Sequence, residues 1–211
     1  MLILSAGAAS PGVVTLDANA TLTSGSLASP VTNNGLTIGS GSNRVLVGVA
    51  AFYNTPTGPV TMTWNGVSMT QIGTAINNGA IILYLFGLVN PASGNHPLVL
   101  SWASAVNIFL DLNGTSFTGC NQTGGTTTFV NFSSLTGSGN PTTLSVTTPA
   151  NDLAVDAIIA ASVAPTTPTQ TALFDDTTSA FAGSSYGSSG SFGWSVTSGP
   201  WAHVGIAIAH V

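Results

Sequence analysis

Residues 60–73 read VTMTWNGVSMTQIG, two alternating runs hinged on Asn65-Gly66. Asn-Gly supplies the pair of positive φ angles that a type I′ turn requires, so the spacing predicts a hairpin of Val60 to Trp64 with Val67 to Ile72. Val60, Met62 and Trp64 share one face of the first arm, with Thr61 and Thr63 on the other, which predicts one buried and one wet side. Similar short runs recur at 13–17, 44–52, 81–88, 97–102, 106–112, 127–132, 143–147, 153–161, 192–196 and 201–210. Turn signals such as Asn90-Pro91, Ser93-Gly94, Asn113-Gly114 and Ser138-Gly139 divide them.

The alternative to strands is weak, because the chain has no glutamate or lysine and is rich in Gly, Thr, Ser and Asn, all poor helix formers. Helices of ten or more residues between strands, as parallel units need, are not evident. The expected fold is therefore all-β, an antiparallel β-sandwich of jelly-roll-like type.

Charge narrows the function classes. Arg44 is the one lysine or arginine among 211 residues, six aspartates are the only acids, and 3% of residues are charged where about 25% is ordinary. A nucleic-acid groove needs clustered cations, so no nucleic-acid partner is expected. Disorder is not expected either, since 44% of residues are hydrophobic and four are tryptophan. No run approaches 18 consecutive apolar residues, so no membrane span is expected. The opening MLILSAGAASPGVV lacks the basic start of an export signal. Cys120 is alone and can form neither an intrachain disulfide nor a metal-site motif.

Two runs, VLVGVAAF and LAVDAIIAA, are apolar on both faces and read as central strands. In WAHVGIAIAH, Ala202, Val204, Ile206 and Ile208 share one face, and Trp201, His203, Gly205, Ala207 and Ala209 form a small, weakly polar one. That second face suits cover by another subunit or simple exposure. Residues 20–42 and 165–190 are irregular in pattern, and no repeat with a period of 20 to 50 residues is visible. The expected division is an N-terminal strand, loop or arm over residues 1–40, packed on the domain or a neighbour, and a β-sandwich domain over 41–211.

GSNRVLVGVAAF (41–52), VTMTWNGVSMTQIG (60–73), IILYLFGLVNPASGNHPLVLSW (81–102), NDLAVDAIIAAS (151–162) and WAHVGIAIA (201–209) follow one another in an order that resembles a family of β-sandwich domains. That family occurs in structural proteins of tailed phages and in bacterial surface proteins. The resemblance covers most of the chain after Gly41 and implies a jelly-roll-like sandwich without a recognised catalytic centre. It supplies no ligand residues.

Read from the residues, Arg44 suits tying a loop down through a carboxylate or backbone carbonyls, its planar head offering five donors. Asp156, in an apolar strand, is expected to face an edge or loop or to pair with Arg44. Asn65 and Gly66 are structural. Asp175-Asp176 is the densest acidic site and, with Asp111, Asn113 or Asp17, offers oxygen ligands for Ca²⁺, although solvated turn residues are the simpler reading. His96, His203 and His210 lack zinc-site spacing, and His203 and His210 would face opposite sides of a regular strand. No strand-to-helix nucleophile elbow is present, so no enzyme is expected. Tyr186, Trp194 and Trp201 are candidate contacts for a glycan or partner if they are exposed.

These readings converge on a non-enzymatic virion component, a capsid decoration, tail or fibre protein at the particle exterior. It would assemble as a homo-oligomer, a trimer among the options, on a major capsid or tail protein. A carbohydrate-binding adhesion module using exposed aromatics, with a surface glycan as ligand, is the alternative. No cofactor is expected beyond the Ca²⁺ option.

Overall fold

The computed structural model describes residues 12–103, 106–140 and 142–211. The opening segment, where no export signal is expected, lies largely outside the described residues. The first twelve strands are β1 (Thr15–Asn19), β2 (Thr23–Leu27), β3 (Val31–Asn33), β4 (Thr37–Ile38), β5 (Val45–Tyr53), β6 (Thr61–Trp64), β7 (Val67–Ser68), β8 (Thr70–Asn78), β9 (Ile81–Val89), β10 (Gly94–Asn95), β11 (Leu98–Ser101) and β12 (Ile108–Thr118). After a 3₁₀ turn at Gly125–Thr127 come β13 (Phe129–Ser138), β14 (Thr142–Ser145), β15 (Leu153–Ala160), β16 (Thr171–Asp175), β17 (Ala182–Gly187), β18 (Ser191–Trp194) and β19 (Pro200–Ile208).

The strands form an all-β, antiparallel, sandwich-like fold in which one topology occurs twice. The first large sheet has the order β1-β12-β5-β9-β8, with β2 also on β12, and the second has β13-β19-β15-β17-β16. In both, the first strand lies beside the last and the last beside a central strand. The smaller sheets are β3-β11-β6-β7, the two-stranded β10-β4, and β14-β18; the first and last again join an early strand to the penultimate long one. This wrapped order is that of a jelly roll. Residues 12–40 are part of it, since β1 and β2 pair with β12, β3 with β11, and β4 with β10.

The second roll has the thinner lid. Where β6 pairs with β11 in the first, residues 166–169 make a single bridge, Thr166 to Ser195, beside β18. Pro165 and Pro168 bracket that bridge, and neither can donate to a ladder.

Side-chain alternation stacks the sheets in four layers. Leu46, Ala50 and Phe52 of β5 pack with Met62, Trp64, Leu98 and Leu100 of the first small sheet. Val45, Val47, Val49 and Ala51 turn the other way and meet Val155, Ala157, Ile159, Val204 and Ile206 of the second large sheet. Beyond that sheet, Ala154, Ile158 and Ala207 face Leu144, Phe192, Trp194 and Val196. Both doubly apolar runs are thus central strands. The small-residue face of β19 is covered, and by strands of its own chain rather than by another subunit.

The hairpin is present with Asn65 at φ 49° and Gly66 at φ 76°. Its second arm differs from expectation. Val67 and Ser68 pair with β6, but from Thr70 the chain joins β9 in the large sheet. Alternation continues through that switch, so the pattern could not mark it. Residues 165–190, read as irregular, contain β16 and β17.

Candidate functional site

The chemistry-bearing side chains gather in two buried places. The first lies in the second roll, between its large sheet and its lid. Asp156 in mid-β15 opposes Ser185 on β17 and Gly205 on β19. His203 Nε2 donates to Asp156 Oδ2 at 2.7 Å and Trp194 Nε1 donates to the same oxygen at 2.6 Å. Oδ1 accepts the Ser185 amide at 2.6 Å and its hydroxyl at 2.7 Å, while Ser184 Oγ donates to the Asp156 carbonyl at 2.5 Å. Asp156 and His203 are fully buried, as is Ser184.

The arrangement corrects the reading of Asp156: it faces neither an edge nor Arg44. A carboxylate in a central strand loses its hydration, and the four donors around it restore what water would have given. It also corrects the aromatic platform. Trp194 and Trp201 are 2% and 5% exposed, Trp64 and Trp102 are buried too, and the two indole N–H groups are directed inward to Asp156 Oδ2 and Gly139 O. Tyr186 is half-buried, edge-on to Phe117 across the two large sheets.

Acid, histidine and serine together suggest a nucleophilic relay, but the contacts differ from one. Both serines bond to Asp156 itself, and His203 Nδ1 has no hydrogen-bond partner among the described residues. Nothing in the set reaches solvent. Its chemistry is cohesion between a sheet and its lid.

The second place joins the two rolls. Asp111 of β12 is fully buried and its Oδ2 accepts the Ala182 amide at 3.2 Å. Burial first, then the charge of and hydrogen bond to Asp176, push the Asp111 carboxyl up to about 8 against a smaller opposing effect of the Ala182 amide. Asp176 moves down: burial pushes it upward, but hydrogen bonds from Thr178, Ser179 and Asp111 win. The two carboxyls are thus driven apart, Asp111 toward the protonated form and Asp176 toward the ionised one. Asp176 also accepts the amides of Thr178, Ser179 and Ala180, which fixes the loop before β17. Asp175 beside it is exposed for the most part, and the partial desolvation of its carboxyl, then the charge of Asp176, raise it.

Of the other oxygen ligands considered for Ca²⁺, Asp17 accepts Gly39 N and Ser116 Oγ, and Asn113 donates to Ala20 O. Neither is used at the Asp111–Asp176 pair, and no group of three ligating side chains converges among the described residues.

The histidines are dispersed. His96 lies edge-on to Trp64, and His210 holds Asp152 Oδ1 through Nδ1 at 2.6 Å and through its amide at 2.9 Å. Arg44 ties together two turns, donating from Nη1 to Gly41 O and from Nε and Nη2 to Pro91 O at 3.3 and 3.2 Å. Its partners are backbone carbonyls, one of the two arrangements the sequence allows. Cys120 is buried, and burial pushes its thiol up to about 12.

Sequence reasoning missed the convergence of Asp156, His203 and Trp194. The available signal was that Asp156 and His203 each interrupt an otherwise apolar strand, and two such residues must satisfy one another if both strands are central. In comparisons with protein-family models, curated proteins and solved structures, the chain matches none.

Proposed function

We propose that this protein is a non-enzymatic structural component of a virion, a decoration, tail or fibre protein that assembles as a homo-oligomer on a capsid or tail. The observation that carries the reading is where the charge goes. Asp111, Asp152, Asp156 and Asp176 are buried, which leaves Asp17, Asp175 and Arg44 as the aspartate or arginine residues with appreciable exposure among the described ones, beside the partly exposed His96 and His210. Such a surface can be covered by neighbours with little loss of ionic hydration, and its contacts depend weakly on salt. In an array, many weak contacts of this kind add up to firm attachment.

The jelly roll is shared by viral capsid domains and lectins, so the topology supports the reading by analogy. The buried aromatics weigh against the glycan-platform alternative. Quantitative mass spectrometry of purified particles tests the proposal. The protein should be present at a fixed ratio to the major capsid or tail subunit, and its absence from particles would refute it.

A further inference from the structure

The two jelly rolls meet along two opposite edges of their shared core, and the edges are built differently. On one, Asn19 Nδ2 donates to Leu173 O at 2.7 Å and Asp111 meets Asp176 and Ala182. On the other, β8 lies against β13, Asn78 Nδ2 at the end of β8 donates to Gly137 O and Trp201 O at 2.9 Å each, and both strands lose register. β8 slips against β9 between Ile72 and Ile76, and β13 slips against β19 between Val130 and Ser133. Gly73 (φ 62°) and Asn131 (φ 55°) occupy the left-handed region within these bulges. Bulges bend strands, re-aim side chains and leave main-chain groups outside the ladder.

A cavity of about 410 Å³ lies there. Phe132 rests on Gly73 and Phe129 on Gly87, each ring filling the space a Cβ would take. Ile72 and Val89 add apolar wall, and Gln71 and Thr126 stand among the polar lining residues. No lining residue is charged. The volume falls in the range of small-molecule sites, which favour domain junctions and combine an apolar lining with a few polar groups. A charged ligand would give up hydration here without meeting a counter-charge.

We infer that this cavity binds an uncharged, mainly apolar small molecule whose polar group meets Gln71 or Thr126. The site is independent of any role in a virion. The test is fluorescence titration of the full chain with N-phenyl-1-naphthylamine, a neutral apolar probe. Saturable one-to-one binding is expected, weakened at least tenfold by Val89→Trp, which narrows the cavity, with an unchanged far-ultraviolet circular dichroism spectrum. If that variant does not fold, Thr126→Trp on the exposed 3₁₀ turn is read in the same way. The anionic probe anilinonaphthalene sulfonate should bind at least tenfold more weakly. Absence of saturation, binding untouched by the folded Trp variant, or equal affinity for the anionic probe would each overturn the inference.

Discussion

At the middle of its central strand the first jelly roll has Gly48, and at the matching place the second has Asp156. Gly48 is flanked by Gly114 and Phe86, Asp156 by Gly205 and Ser185. Two residues further along, Ala50 opposes Leu112, and Ile158 opposes His203. The first roll fills the layer above Gly48 with Met62 and Met69, and a Cβ there would collide with the Met62 sulfur. The second fills it with a carboxylate and its donors. The difference follows the lids. Four strands can exclude water by packing alone, whereas two strands and a proline-broken third offer less apolar surface, and the charge-assisted bond from Trp194 pins them down.

The comparison can be broken most completely by exchanging its terms. Gly48→Asp would drive a side chain into Met62 and bury an unpaired carboxylate, so loss of more than about 5 kcal/mol and no soluble folded protein are expected on expression. Asp156→Ala should cost about 3–5 kcal/mol in urea unfolding, because it strands His203, the Trp194 indole and Ser185 without their acceptor. A cost below about 1 kcal/mol would mean that the lid is held by packing, as in the first roll.

Asp111 sharpens the picture at the junction. Its carboxyl is near 3.8 when unfolded and about 8 when folded, so the native state binds the extra proton between those values. Its contribution is full at the acid end of that window and is lost as pH rises toward 8, by at most about 1.4 kcal/mol per pH unit. Asp176 acts oppositely, losing its contribution as pH falls below the usual carboxylate range. Asp111→Asn should flatten the fall in stability from pH 5 to 8 seen by thermal melting, and be the more stable form above pH 8. The smallest effect is at the strand entrances, where Arg44 follows Asn43 (φ 55°) and Asp152 follows Asn151 (φ 71°). Arg44→Ala and Asp152→Ala should each cost about 1–2 kcal/mol by urea unfolding, one releasing Gly41 and Pro91, the other His210.

Much of the fold was legible because strand physics is local. Asn65-Gly66 marks its own turn, and the unbroken apolar runs of β5 and β15 announce burial on both faces. The duplication was not legible. Apart from Gly114 and Gly205, the matched positions carry Gly and Asp, Leu and His, or Phe and Ser, too little in common to mark the second occurrence of the topology in the sequence. The buried network was hidden for a similar reason. Asp156 finds Trp194 and His203 38 and 47 residues away, in strands whose neighbours are fixed by topology rather than by spacing. Exposure of the tryptophans was equally undecidable, since alternation tells which residues share a face but not whether another sheet lies over it.

The shared core between the two large sheets has a consequence for synthesis. When the chain up to β12 has left the ribosome, Val45, Val47, Leu83, Leu85 and Phe117 form an oily back that faces water until β15 and β19 are made. For that interval the nascent protein is a sticky half-product, open to clumping with its siblings until the second large sheet closes over it.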